Sequence, residues 1–288
     1  MTDKHRGFGK PFALALLLVL AFALVYTFFL TSSDNMTPGD GEIIVAFLDV
    51  GQGDSILIWS QDNAVLIDGG DVRQGNTVLG YLRRAGITRL DYVIATHPHS
   101  DHIGGLVAVL NQMEVGYVLM PDVIHTTNTY ENFLSVIENN DISVMVPEVG
   151  DWIVAGLIEL NILALQPANR NINDASIIVR LVYKERSFLF TGDAEAHSER
   201  MIIASRQDIK SDVLKIGHHG SRTSTTEGFL DAVAPMVAVI QVGGGNRFGH
   251  PHPDIIERLT DRGIIIYRTD EMGTIFIATD GYCIVLLD

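Results

Sequence analysis

The stretch THPHSDHIGG sets His97, His99, Asp101 and His102 in a His-x-His-x-Asp-His spacing. Imidazoles at alternate positions of an extended segment point the same way, so His97 and His99 can chelate one ion while Asp101 and His102 turn toward another. With ten histidines in 288 residues, composition alone yields about 0.001 such matches, which makes a merely solvated loop a poor account. Asp193 in LFTGDAE ends an apolar run, where a carboxylate can bridge two cations and offset their repulsion; it could equally cap the helix that follows. KIGHHGS sets His218 and His219 just after another apolar run, as ligands or as surface residues. GHPHP adds His250 and His252, which fit catalysis or substrate contact as well as a turn favoured by Pro251 and Pro253. Seven of the ten histidines lie in these segments, so independent surface placement explains them poorly together.

Something must hold these groups at one place, and the flanking patterns predict strands. IIVAFLDV (43–50), SILIW (55–59) and AVLID (64–68) read as strands, Asn76 to Ala85 as a helix, and DYVIAT (91–96) as a buried strand. A second series follows: IELNILAL (158–165), SIIVRLVY (176–183), SFLFTG (187–192), a helix over 194–205 and strand VLKI (213–216). IIIYRT, TIFIAT and YCIVLL supply the last strands. Strand-rich halves with intervening helices predict an α/β domain of two packed mixed sheets with helices outside. The GQGD turn, Gly51 to Asp54, fits a tight hairpin in which Gly51 and Gly53 need only backbone freedom.

Residues 12–30 read FALALLLVLAFALVYTFFL, long enough to cross a bilayer core at about 1.5 Å per residue. Lys4, Arg6 and Lys10 precede this run, which predicts a cytoplasmic amino terminus and an extracytoplasmic remainder. The run exceeds the roughly 7–15 apolar residues of a cleaved signal peptide and shows no small-x-small site before Thr31. It therefore reads as an uncleaved single-pass anchor in the cytoplasmic membrane; cleavage would instead make the protein secreted. The organisation expected is a basic tail (1–11), anchor (12–30), polar linker (31–41) and one soluble domain (42–288). The chain carries a net charge of −15, and setting aside the first ten residues, three basic and one acidic, leaves about −17. Such acidity excludes a broad basic face for nucleic acid, and one cysteine, Cys283, excludes a disulfide framework or a Cys-rich metal site.

FLDVGQGDSILI, VLIDGG, THPHSDHIGG, LFTGDAE, KIGHHGS and NRFGHPHPDIIERL, taken together, closely resemble the metallo-β-lactamase-fold hydrolases, and among them the extracytoplasmic domain of ComEC-type DNA-uptake proteins. The resemblance covers roughly residues 43–280 and implies an αββα sandwich with a dinuclear metal site at one edge. It further implies His97 and His99 on the first metal, Asp101 and His102 on the second, Asp193 bridging and His218 completing the second site. Asp68 would orient a ligand or its loop from behind, and Asp54 would stand near substrate or ligands. General members of the fold carry one more metal-binding histidine before the bridging aspartate. His125 and His197 lack that setting, and NDASIIVRL, with Asn173 and Ser176, resembles the segment that replaces it in ComEC-type proteins. The multispanning channel of those proteins has no counterpart beside a single span, so transport of DNA is not implied.

Two divalent cations, zinc or manganese, would lower the pKa of a water and polarise a phosphoryl or carbonyl oxygen. Asp193 would steer the attacking oxygen, while His219 and His250 would stabilise charge or protonate the leaving group. The resemblance favours a phosphodiesterase or nuclease, and Arg222 and Arg247 lie close to the motifs. The acidity favours small phosphodiesters over long single-stranded DNA. A lactone, thioester or other ester hydrolase on the same fold, or a noncatalytic accessory of DNA uptake stabilised by metal, are the alternatives.

Overall fold

Once buried, an apolar strand must satisfy every backbone N–H and C=O, and here neighbouring strands do so. The computed structural model describes residues 36–164 and 171–287. The expected tail, anchor and first half of the linker therefore fall outside the described residues, among which no helix is long and apolar enough to cross a membrane.

The first sheet begins with β1 (Ile43–Phe47), β2 (Ile56–Trp59), β3 (Ala64–Ile67), β4 (Arg89–Ile94), β5 (Glu114–Leu119) and β6 (Ser143–Met145), in that order. The second holds β7 (Trp152–Ala155), β8 (Ile158–Ala164), β9 (Ile178–Tyr183), β10 (Arg186–Phe190), β11 (Val213–Lys215), β12 (Val237–Ile240) and β13 (Ile265–Arg268), again in chain order. The chain then returns to the first sheet, adding β14 (Ile275–Thr279) beside β1 and β15 (Ile284–Leu287) beyond it. Each sheet is antiparallel where it begins and parallel where it ends: β3 to β6 run parallel in one, β10 to β13 in the other.

Period-two alternation fixes the layers. Val45, Phe47, Ile56 and Ile58 point between the sheets, where they meet Leu160, Ile162, Phe188 and Phe190. The rings of Phe47 and Phe190 lie 6.1 Å apart across that core. Burying each such side chain stabilises the fold by roughly 1.5–3 kcal/mol. Leu189, Leu214 and Ile240 face the other way and pack on Ile202, Phe229, Leu230 and Leu259. Those residues belong to the helices Ala196–Ser205, Glu227–Val233 and Pro253–Asp261. On the outer side of the first sheet, Leu57, Leu66 and Val93 are buried, as are Val78, Leu79 and Leu82 of the helix Gly75–Arg84. The result is the helix–sheet–sheet–helix layering expected from the alternating runs.

Several local expectations shift. The strand read from Ser176 starts at Ile178, because Asn173–Ala175 form one 3-10 turn. GQGD is no tight hairpin but part of a wider loop between β1 and β2, closed by Leu48 N donating to Ser55 O at 2.9 Å. Its Gly53 has a role beyond freedom: φ is 141°, and a Cβ there would stand 2.3 Å from the Asp101 carbonyl oxygen. β6 and β7 escaped the sequence reading since they are edge strands of only three and four residues, too short for alternation to mark them, although β7 reads WIVA.

Two glycine pairs lock the first parallel crossover. Gly69 N donates to His102 O at 2.7 Å and Gly105 N to Gly70 O at 2.9 Å, so LIDGG and DHIGG interlock backbone to backbone. A Cβ on Gly105 would lie 2.0 Å from Gly69 O, and neither strand can retreat without moving the metal loop. Gly105→Ala is expected to cost at least ~2 kcal/mol of folding stability, since the clash is with backbone rather than a flexible side chain. Urea unfolding of the variant against the parent checks this, and an unchanged midpoint would contradict it.

Candidate metal centre

The carboxyl ends of the parallel strands point to one end of the sandwich, where α/β folds place ligands. β3 delivers Asp68, β4 delivers the His97–His102 loop, β10 delivers Asp193 and β11 delivers Lys215, His218 and His219. Asp193 Oδ2 is the hub. The Nε2 atoms of His102, His219, His218 and His97 lie 3.3, 3.5, 3.7 and 3.8 Å from it. His97 Nε2 and His99 Nδ1 approach within 3.0 Å, and Asp101 Oδ2 is 3.5 Å from His219 Nε2. Three donor groups result: His97, His99 and Asp193; Asp101, His102 and His219; and Asp54, His102 and Asp193.

One expected role changes hands. The resemblance put His218 on the second ion; the structure groups His219 with Asp101 and His102 and leaves His218 Nε2 outside that group, 3.7 Å from Asp193 Oδ2. The reason is the backbone: His218 and His219 adopt left-handed φ values of 47° and 55°, which swing adjacent imidazoles to different sides. Such conformations cost about 1–3 kcal/mol each and persist only where surroundings enforce them. Ser224 Oγ does so here, donating to Gly217 O at 2.7 Å and Ser221 O at 3.1 Å. His218 Nδ1 lies 3.1 Å from Glu195 Oε1, which also accepts from Asn173 Nδ2 at 3.1 Å.

Behind the imidazoles stand groups that fix their tautomers. Asp68 Oδ2 lies 2.8 Å from His102 Nδ1 and accepts from Thr96 Oγ1 at 2.7 Å, which ties His102 to the loop that follows β4. Ser176 Oγ lies 3.3 Å from His97 Nδ1 and accepts from Asp193 N at 3.1 Å. Asp54 Oδ1 lies 3.2 Å from His219 Nδ1, and Asp54 also pairs with Lys215. Asp193 does not cap the following helix. Asp174 serves that end, accepting from Ser198 N at 3.2 Å and Glu195 N at 3.1 Å. His252 also leaves the site: its Nδ1 caps Pro253–Asp261 through Asp254 N, and its Nε2 contacts Arg222. His250 stays near, its ring 5.6 Å from that of His218. His125 has its ring 5.9 Å from that of His99 but belongs to no donor group, and His197 is exposed on its helix.

Lys215 escaped the sequence reading. It is fully buried, its Nζ donates to Gly192 O at 2.9 Å, and Asp193 Oδ1 is 4.0 Å away. The alternation in VLKI contained the signal, because Lys215 must share the inward face of Val213. Glu195 was missed too, and nothing in its neighbours marks it.

Burial pushes the His219 imidazole down, but Asp193, Asp54 and Asp101 outweigh it and raise its pKa to about 9. His102 rises well above its ordinary range, burial again being overcome by Asp193 and Asp68. Burial works against Asp193 ionising too, yet His219 and His102 hold it well below the usual carboxylate range. Lys215 and His219 likewise bring Asp54 down against its burial, whereas burial leaves Asp68 raised. His97 goes far down, through burial and the neighbouring His102 charge. Burial and the charges of His218 and His219 push His250 down to about 4. The His102 Nε2, His219 Nε2 and Asp193 Oδ1 atoms are buried without hydrogen-bond partners, and these mixed nitrogen and oxygen donors suit divalent cations.

Residues 48–244 match the metallo-beta-lactamase superfamily. The chain belongs to that superfamily. Within it, the sequence is 31% identical to ComE operon protein 3 of Bacillus subtilis, covering 80% of this chain and 32% of that protein. It is 34% identical to Recombination protein 2 of Haemophilus influenzae (74% and 26%) and 32% identical to Competence protein ComA of Neisseria gonorrhoeae (82% and 32%). The chain thus spans about a third or less of the length of these relatives. Solved structures similar in fold include CmlA, a diiron β-hydroxylase from Streptomyces venezuelae, at TM-score 0.56 and 14% identity over 85% of this chain and 54% of that one. A diphosphatase from the PhnP family aligns at TM-score 0.51 and 14% identity over 85% of this chain and 99% of its own.

The raised histidines predict how a superfamily member of this kind takes up ions. At neutral pH, His102 and His219 hold protons that incoming cations must displace, so loading is expected to release about two protons per chain. Calorimetric titration with zinc or manganese in buffers of different ionisation enthalpy reads that number, and buffer-independent heats would contradict it. In the metal-free protein the His219 contribution to stability is complete below its ordinary 6.5 and lost as pH rises through about 9, so the melting temperature should fall across that interval.

Proposed function

We propose that the chain is a divalent-metal-dependent hydrolase of phosphodiesters, of nuclease type, tethered to the cytoplasmic membrane by residues 12–30 with its α/β domain outside. The observation that carries this reading is the set of four imidazoles around Asp193 Oδ2, opening beside a groove of about 820 Å³. His99 and Asp101 line that groove together with His125, Arg247 and Phe248, so the groove reaches the donor groups themselves. Phe248 is 54% exposed and stacks on His250 at 5.8 Å, offering an apolar face for a nucleobase or other aromatic group. Arg247 lies 5.1 Å from the Phe248 ring and adds positive charge at the rim. The names of the relatives, competence and recombination proteins, support a substrate related to DNA.

Zinc or manganese held by His97, His99 and Asp193, and by Asp101, His102 and His219, would supply Lewis-acid polarisation and water activation. The protein's own residues do the rest. Asp68, Asp54 and Ser176 hold the imidazoles in register, so no reorganisation is needed as charge develops. His218, fixed by Glu195 with Nε2 facing the hub, is placed to give a proton to the departing oxygen. His250, held neutral, completes the wall beside it.

His99→Ala combined with Asp193→Ala removes two of the three donors of the His97 group and the carboxylate that stands 3.3 and 3.5 Å from His102 and His219 of the Asp101 group. The double variant is expected to lose bound metal and to drop hydrolysis of bis-p-nitrophenyl phosphate by at least ~10³-fold, a loss of ~4 kcal/mol in transition-state stabilisation. Metal content by mass spectrometry and rates with zinc and with manganese measure both effects; undiminished turnover would sink the reading. Single-stranded DNA, a lactone and a β-lactam in the same assay separate the phosphodiester reading from other esters.

A further inference from the structure

Of the three donor groups at the hub, the one formed by Asp54, His102 and Asp193 differs from the other two in being wholly buried. It also already faces a cation that the chain supplies. The Lys215 ammonium is in contact with Asp54 Oδ2, stands 4.0 Å from Asp193 Oδ1 and donates to Gly192 O at 2.9 Å. Two carboxylates and a backbone carbonyl are oxygen donors of the kind that hold a hard metal cation. Asp193 Oδ1 is buried and has no hydrogen-bond partner, so the ammonium is the positive charge it faces. Strand alternation leaves Lys215 no other direction, because it shares the inward face of Val213.

A metal ion at that point would disturb both of the other groups. His102 also belongs with Asp101 and His219, and Asp193 with His97 and His99, so an ion shared with Asp54 would draw one ligand from each. It would compete as well with His219 Nδ1, which lies 3.2 Å from Asp54 Oδ1. The local charge invites such an ion. Asp54, Asp68, Asp101 and Asp193 are the carboxylates there, and against them stand only Lys215 and the imidazoles of His97, His99, His102, His218 and His219. An ammonium fixed to β11 meets the same oxygens with one positive charge, and its tether prevents it from moving on to the imidazole nitrogens as a free ion would.

We propose that the Lys215 ammonium fills a third cation place beside the hub, where it keeps metal out and so reserves His102 and Asp193 for a two-ion centre. Lys215 is then a positioning residue, acting through Asp54 and Asp193. This rests on the metal-dependent reading of the site, though on no particular substrate.

The test is Lys215→Ala in the full chain, which removes the ammonium and leaves room for an ion. Asp54→Asn/Lys215→Ala is the control, since it also removes the carboxylate that the additional ion needs. Each protein is refolded with manganese, freed of unbound metal and analysed for manganese per chain by mass spectrometry. Lys215→Ala is expected to hold one ion more than the parent, and the double variant to match the parent. Propylammonium, which replaces the atoms lost from the side chain, is expected to displace the additional ion and return Lys215→Ala to the parent's content. In excess manganese, Lys215→Ala should hydrolyse bis-p-nitrophenyl phosphate at least ~10-fold more slowly than the parent, with propylammonium restoring the rate. Equal manganese in Lys215→Ala and parent, an additional ion in the double variant, or a third ion in the parent overturns the proposal. So does a Lys215→Ala chain that folds with neither manganese nor propylammonium, because the place then accepts no separate cation. If Lys215→Ala takes the additional ion and yields it to propylammonium, yet neither protein hydrolyses a phosphodiester, the cation place stands and the reaction proposed above fails.

Discussion

Burying carboxylates is unfavourable unless positive charge accompanies them, and this domain buries several at one point. Asp54, Asp68 and Asp193 are almost wholly withdrawn from water, and Asp101 stands beside them. No apolar repacking could make that end of the sandwich stable as it stands. Lys215 offsets part of the charge, and imidazoles offset more as imidazolium or as donors to cations. The interlocked glycine pairs and left-handed histidines follow from this constraint, because each brings a charged or dipolar group within reach of the hub.

The topology explains why the groups meet. Both sheets pass from antiparallel to parallel pairing, and in each the first parallel strand pair ends in the residues that matter. Asp68 follows β3 as Asp193 follows β10, and the His97–His102 loop follows β4 as the GHHG turn follows β11. Face-to-face packing of the sheets then apposes two equivalent ends. The site is shared by both halves, with neither half holding a complete donor set: each group with His97 or Asp101 takes Asp193 or His219 from the opposite sheet.

Much of this was legible in the residues. The His-x-His-x-Asp-His spacing is specific, and β-branched runs such as IIVAF and SIIVRLV announce strands. The choice between His218 and His219 was not legible, since spacing says nothing about a left-handed turn that separates neighbours. Nor was Asp193 separable from a helix cap, because Asp174, far away in sequence, supplies the cap instead. Lys215 could have been found from strand alternation alone. Glu195 could not, as its value comes from Asn171, Asn173 and His218 arriving from other elements.

Lys215 is a basic side chain that the sequence itself supplies to the buried carboxylates, whereas a cation must come from outside. Lys215 and the imidazoles of His102 and His219, both raised in pKa, stand against the four carboxylates Asp54, Asp68, Asp101 and Asp193, so most but not all of the acidity is met before any cation arrives. The negative charge left over lies at the carboxyl ends of the strands, where it favours a divalent cation at a point the fold has already assembled.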